Sequence, residues 1–311
     1  MIKEGKKVGE TILINIASTI DSAYTDVLTT FYTSILENNL GSDFHFFIIV
    51  DKLTKTDKTY IKQLKKIYEN LKEITFLPSN FAYYKNASVN SPVSAIKENT
   101  YYKVELPLLV SCSRLLYLDA DMICTGDISN LWKANLKGNI IGAVEDAGDF
   151  GEGGTTKNRL DEMQVAHTSN RYFNAGLVLF DINKWNENHI TQKTRKFVAK
   201  YGDILTYSEQ DALNALLNNK WQPLNLKYNV VTQIPRHDIH NPTSKQTKII
   251  EKARKAPRII HYTEWAKPWV RSGKWIHPWR YLYYYYKYIA TLRLHNYAVN
   301  KKTAKKENPI K

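Results

Sequence analysis

The chain has 311 residues with 44 Lys+Arg against 30 Asp+Glu, a net charge of +14, and 43% of it is apolar. That length and apolar content allow one large domain or two modest ones and exclude a largely disordered chain. No run approaches about 18 uncharged apolar residues, so no transmembrane helix is expected. The basic start MIKEGKKVGETILINIAS lacks the sustained apolar stretch of a signal peptide. Cys112 and Cys124 make no disulfide framework, and a cytoplasmic setting is expected. The excess charge by itself fits nucleic acid, an anionic membrane or a phosphate-bearing ligand equally well.

Taken in chain order, short apolar runs read as strands at 11–18, 44–51, 73–78, 114–121, 140–146, 173–182 and 258–263. Helical patterns lie between them at 24–39, 54–70, 101–112, 183–201 and 207–218. Several of the strand runs are apolar throughout, as expected where both faces are covered. The alternation predicts an α/β fold, a doubly wound and mostly parallel sheet with helices on both faces. Two stretches interrupt it. Residues 79–100 are polar, and residues 147–158 carry Gly148, Gly151, Gly153 and Gly154. Loops of this length in a compact domain are often lids or binding loops. From Arg271 onward aromatics and cations replace the alternation, which suggests a division into 1–270 and 271–311.

The run LLYLDADMICTGDISNLW (115–132) ends an apolar strand in Asp119-Ala120-Asp121. Ligands of open α/β sheets bind at the carboxyl ends of strands. Residues two apart in an extended chain point the same way, so both carboxylates can reach one cation. Hard oxygen ligands suit Mg²⁺ or Mn²⁺, ions that commonly join a protein to a phosphate. Taken alone, the same acids could simply punctuate a strand end.

YFNAGLVLFDINKW (172–185), LTYSEQDALNALL (205–217) and IIHYTEWAKPW (259–269) follow in that order, and INIASTIDSAY (14–24) precedes them. Together with the D-x-D these blocks resemble the retaining glycosyltransferase family 8, which includes glycogenin and the bacterial lipopolysaccharide α-galactosyl- and glucosyltransferases. The resemblance spans residues 11–269. It implies a GT-A fold, a UDP-sugar donor (UDP-glucose or UDP-galactose) and a divalent cofactor, usually Mn²⁺, with Mg²⁺ the other choice. It gives Asp119, Asp121 and His261 as metal ligands and Lys267 as a contact to the donor diphosphate. Ala17, Ser18, Thr19, Asp21, Tyr24 and Ala120 fall to the nucleotide-sugar site, although many relatives carry an acidic pair where this chain has Ser-Thr-Ile-Asp. Lys103 falls where many members have arginine; it keeps the charge but loses the bidentate fork. Asp146, Asn174, Glu209 and Gln210 are implied around the transferred sugar. Glu209 stands where some relatives have aspartate, which lengthens the arm.

The implied reaction moves a hexose with retention to a hydroxyl of a cell-envelope or surface glycan, glycolipid or glycoprotein. A double displacement needs a nucleophile on the face opposite UDP. The family-matched group there is Gln210, and a neutral amide is a poor one. The alternative is a same-face substitution in which the departing UDP oxygen helps deprotonate the acceptor.

Residues 271–311 hold ten Lys/Arg against the single acid Glu307. On a helical wheel Leu282, Tyr285, Tyr286, Ile289 and Leu292 share one face, with Arg280 and Lys287 opposite. Such a segment suits an anionic membrane surface and a peripheral place on the inner face of the cell membrane; alternatively it packs on the catalytic domain. A nucleic-acid-binding protein is the remote alternative, because no nucleic-acid module is visible and bare carboxylates repel phosphate; no nucleic-acid partner is expected. Self-glycosylation in the manner of glycogenin is a nearer one, although none of the 21 tyrosines lies in a recognisable acceptor context.

Overall fold

The computed structural model describes residues 11–79, 83–84, 98–150, 160–161, 163, 165, 171–218, 220–263, 267–270 and 276–307. Most of the expected loops at 79–100 and 147–158 lies outside the described residues, as do Arg271, Lys274, Trp275 and Lys311.

Among the described residues, ten strands form two sheets. The larger takes β1 (Ile12–Asp21), β2 (Ser42–Asp51), β3 (Leu71–Pro78), β4 (Arg114–Leu118), β6 (Ile141–Glu145), β7 (Phe173–Asp181) and β8 (Trp221–Pro223), in the order β3-β2-β1-β4-β7-β6-β8. All neighbouring pairs are parallel except those of β7, which runs against β4 and β6. The smaller sheet takes β5 (Met122–Cys124), β9 (Val230–Val231) and β10 (Ile259–His261), in the order β5-β10-β9.

The doubly covered strands explain their continuous apolar sequences. Side chains of a strand alternate between faces; accordingly Leu116 and Leu118 enter one core with Ile14, Ile16 and Phe31, while Leu115 and Tyr117 enter the other with Phe47, Val178 and Trp185. The helix Thr25–Asn38 is buried along almost its whole length, because the C-terminal helix Arg280–Glu307 covers the side turned away from the sheet.

Several expected boundaries move. The strand expected at 114–121 stops at Leu118 and resumes as β5 in the other sheet; the strand expected at 258–263 also belongs to that smaller sheet. The helix expected at 101–112 is a 3-10 turn, Glu98–Val104, followed by the short helix Leu106–Leu109, with Pro107 at its start. The helix expected at 183–201 breaks at His189, whose φ of 52° no helix can carry. The helix Ser244–Lys255 was not foreseen, because it holds few apolar residues. Its signal is a capping box, Thr243 with Gln246.

The C-terminal helix corrects the wheel. Tyr283, Tyr286, Ala290 and Leu294 are the buried positions, while Tyr285 and Leu292 are exposed. The helix is turned this way because Tyr283 packs edge-on to Tyr262 (6.3 Å) and against Trp269 (4.9 Å), and Tyr286 accepts a hydrogen bond from Asn38 (2.6 Å). Tyr281, Tyr285 and Tyr288 are left as an outward aromatic stripe.

Candidate active site

Asp119-Ala120-Asp121 is the segment where the chain passes from the large sheet to the small one. Asp119 extends the β4–β7 ladder, its N–H donating to Gly176 O at 2.9 Å. Asp121 extends the β5–β10 ladder, its carbonyl accepting from Tyr262 N at 3.0 Å. Both carboxylates are thereby fixed by backbone pairing rather than by a free loop, and Ala120 is buried between them. His261 ends β10, in register with Met122 and Val231, and its ring enters the same space. One ligand atom from each of Asp119, Asp121 and His261 lies within 4.8 Å of the others.

These residues fit a divalent cation on chemical grounds. Asp121 Oδ1 is buried without a hydrogen-bond partner and lies 3.1 Å from His261 Nε2; Asp119 Oδ2 lies 3.8 Å from the same nitrogen. The floor is Gly176, where a Cβ would come 2.4 Å from His261 Cε1 and 2.8 Å from Asp119 Oδ2. Only glycine leaves that space open. Burial would raise the Asp121 carboxyl, but the Lys267 ammonium and His261 outweigh it and hold the group well below the usual carboxylate range. Lys267, whose side chain is largely buried, pairs with Asp121 Oδ2 and the Tyr262 carbonyl.

Asp119 Oδ1 is occupied differently. It accepts from Tyr117 Oη at 2.7 Å and from Lys103 Nζ at 3.3 Å. The Lys103 ammonium also meets Glu209 Oε1 at 2.8 Å and the Ala175 carbonyl at 3.2 Å, and sits 4.7 Å from the Tyr117 ring centroid. Burial would lower the Lys103 pKa, yet Asp119 and Glu209 raise it well above its ordinary value, so the group stays charged. The Tyr117 hydroxyl is pushed well upward by burial and by Asp119, and remains a donor.

Glu209 and Gln210 begin the helix Glu209–Leu216, delivered by Ser208 at φ 48°, a conformation side-chain-bearing residues rarely adopt. Ala175 N–H donates to Gln210 Oε1 at 2.9 Å, and Gln210 Nε2 donates to Asp146 Oδ2 at 3.3 Å. Asn174 Nδ2 donates to that same oxygen at 3.0 Å, and Gly148 N–H to Asp146 Oδ1 at 3.0 Å. Asp146, Asn174 and Gln210 therefore form one cluster, with Glu209 joined to the metal ligands through Lys103.

The β1 residues are more varied in their surroundings. Ala17 is buried in the core, and the Ser18 hydroxyl donates to Leu118 O at 2.7 Å, tying β1 to β4. Thr19 lies in register with Ile49 of β2, and Asp21 caps the following turn by accepting from Ala23 N at 3.0 Å. Tyr24 lies edge-on to Trp269 (6.0 Å); burial and then Asp121, Asp21 and Asp119 push its hydroxyl upward.

Tyr117 and Asn229 lie in the site but were not singled out in the sequence. For Tyr117 the signal was available, since it stands two residues before Asp119 in the same extended run. For Asn229 it was not: Asn229 follows a 3-10 turn, Leu226–Tyr228, and reaches the site only through the pairing of β9 with β10.

The sequence profile of glycosyl transferase family 8 matches residues 15–273. General stress protein A of Bacillus subtilis (strain 168) is 30% identical over 298 residues, 93% of this chain and 98% of that protein. Lipopolysaccharide 1,2-glucosyltransferase of Escherichia coli (strain K12) is 29% identical over 82% of this chain and 72% of its own. The galactosyltransferase LgtC, solved with donor and acceptor sugar analogues, superposes with a TM-score of 0.75 at 21% identity, covering 88% of this chain and 95% of its own. The architecture is thus GT-A-like, and the chain belongs to glycosyl transferase family 8.

Proposed function

We propose that the protein transfers glucose or galactose, with retention, from a UDP-sugar to a hydroxyl of a cell-envelope or surface glycan, glycolipid or glycoprotein. The observation that carries this reading is the meeting of Asp119, Asp121 and His261 at the edge of a second cluster, Asp146, Asn174 and Gln210, bridged by Lys103 and Glu209. The names of the relatives, a lipopolysaccharide glucosyltransferase and a galactosyltransferase, support a hexose donor.

Asp119, Asp121 and His261 would hold Mn²⁺ or Mg²⁺, which supplies Lewis-acid neutralisation of charge developing on the departing diphosphate. Lys267 would exchange its present pairing with Asp121 for the diphosphate, adding a fixed cation to the same charge. The carboxylates on the sugar side are engaged: Asp146 takes three donors, and Glu209 holds Lys103. Gln210 Oε1 is committed to a backbone N–H. Among the described residues no group there is left as a ready nucleophile, which favours same-face substitution, the leaving phosphate oxygen taking the acceptor's proton. Screening UDP-sugars for Mn²⁺-dependent hydrolysis tests the reading. Turnover of UDP-glucose or UDP-galactose that stops with chelator is expected; equal inertness to every UDP-sugar, with no stabilisation by UDP and Mn²⁺, overturns it. Intact-mass analysis of the product decides between an external acceptor and self-glycosylation.

For the C-terminal segment we propose a peripheral contact with an anionic membrane. Among the described residues no helix is long and apolar enough to cross a membrane. The exposed Tyr281, Tyr285 and Tyr288, close to Arg280 and Lys287, support a helix lying on a surface. Co-sedimentation with phosphatidylglycerol vesicles should be lost when Tyr285 and Tyr288 are changed to Ser; unchanged or negligible binding by both proteins counts against it.

A further inference from the structure

Asn229 is almost fully buried and touches both groups of site residues. Its Oδ1 lies 3.0 Å from His261 Nδ1, and its Nδ2 lies 2.9 Å from Asn174 Oδ1. The orientation of these groups follows from two fixed ends. Asn174 Oδ1 accepts from the backbone N–H of Gly176 at 3.0 Å, and a backbone N–H can only donate. Asn174 Nδ2 faces the Asp146 carboxylate at 3.0 Å, which accepts. The Asn174 amide therefore has one orientation. The atom of Asn229 that meets Asn174 Oδ1 must then be the donating nitrogen, so its oxygen faces the imidazole. An oxygen there requires the proton of His261 on Nδ1. Nε2 is left pointing at Asp121 Oδ1 and Asp119 Oδ2, in the plane the ring is held in.

We propose that Asn229 is a positioning residue that fixes the ring and tautomer of His261, so that Nε2 presents its lone pair to a divalent cation, and that it couples this ligand through Asn174 to the sugar-side cluster. This deepens the metal reading above and rests on it for the role of Nε2; the tautomer itself does not depend on it. Groups in this position beneath a ligating histidine typically change metal affinity ~10–100-fold when removed.

The tautomer is read by ¹⁵N NMR of histidine-labelled protein without metal, the His261 signals being assigned by their loss in His261→Gln. In the neutral ring Nδ1 should be protonated and Nε2 not; the reverse overturns the proposal whatever the variants do. Isothermal titration with Mn²⁺ alone should show ~10–100-fold weaker binding by Asn229→Leu, with a mixture of the two tautomers. Asn229→Asp keeps an acceptor for Nδ1–H but cannot donate to Asn174. It should hold Mn²⁺ far better than Asn229→Leu while raising the KM for the UDP-sugar more than it lowers kcat. If Asn229→Leu is too unstable to titrate, Asn229→Asp and the wild-type tautomer still decide. Wild-type Mn²⁺ affinity in Asn229→Leu sinks the positioning role. Absence of Mn²⁺ binding by the wild-type protein, with the expected tautomer present, would fault the metal reading and leave the orientation by Asn229 standing.

Discussion

The two sides of the candidate site, a metal wall and a sugar wall, are built on different physics. The metal wall gathers the charges of Asp119, Asp121 and Lys267 around the His261 ring, placed where the chain passes from one sheet to the other, with Asp121 Oδ1 left without a hydrogen bond. The sugar wall is a lattice of amides around one carboxylate, and both amide ends of Asn174 and of Gln210 are in use. One wall thus leaves a buried carboxylate oxygen that a cation could take up, while the amides of the other already pair with neighbouring groups. Preorganised dipoles of the second kind cost no reorganisation during a reaction; under the proposed function, charges of the first kind would be rearranged to admit a diphosphate.

Lys103, like Asn229, belongs to both walls, and the largest effect is expected there. Removing one partner of a buried ion pair typically costs ~3–5 kcal/mol, because the remaining charge is left uncompensated. Lys103→Met strands Glu209 beside Asp119, so denaturant unfolding should show a loss of that order. A stability within about 1 kcal/mol of wild type would mean that the two carboxylates are hydrated independently, and the picture of one cation joining the walls would fall. Next in size, Asp121→Asn strikes the incomplete wall. Losing a ligand of the cation that would neutralise the leaving group costs ~100–1000-fold in rate, and transfer should fall to almost nothing while the fold persists. Activity within tenfold of wild type would place the metal elsewhere.

Gln210→Ala strikes the finished wall and should be milder. It leaves the Ala175 N–H unpaired and removes one of three donors from Asp146, worth ~1–3 kcal/mol for a buried group or roughly 5- to 150-fold in rate. A measurable residue of transfer is therefore expected. If Gln210→Ala were as inactive as Asp121→Asn, and a sugar adduct on Gln210 of the wild-type protein were trapped and seen by mass spectrometry, same-face substitution would be wrong and the sugar wall would hold a nucleophile.

The difference between the walls also explains what the sequence made legible. Asp119 and Asp121 announce themselves, because a period-two pair of acids at the end of an apolar strand is a local pattern. The alternation of strands and helices, and the strands of the large sheet from β1 to β7, follow from local hydrophobic patterning as well. What eluded reading depends on pairing between distant segments. The break of the expected strand at Asp119 arises because Gly176 and Tyr262, far along the chain, claim the backbone on either side of Ala120. Asn229 lies in a polar turn whose sequence says nothing of the histidine 32 residues later that it faces. The seating of the C-terminal helix failed for the same reason: an amphipathic wheel ranks faces by hydrophobicity, whereas Tyr283 is drawn inward by Tyr262 and Trp269.

The smallest effect tests whether that helix braces the metal wall at all. The Tyr284 hydroxyl donates to the Pro268 carbonyl at 2.7 Å, one residue after Lys267. Because Tyr284 is 42% exposed, water can replace its bond, and Tyr284→Phe should cost no more than ~1 kcal/mol of stability. Its effect on the donor separates two roles. If the bond holds the Lys267 segment in place, the KM for the UDP-sugar rises a few-fold with kcat nearly unchanged, because the segment must be re-ordered each time a diphosphate binds. If the helix merely covers the domain, thermal stability shifts slightly and neither kinetic constant moves. A drop in kcat at constant KM would be consistent with neither role, and would instead assign Pro268 and its neighbours to the transition state rather than to the waiting charges of the metal wall.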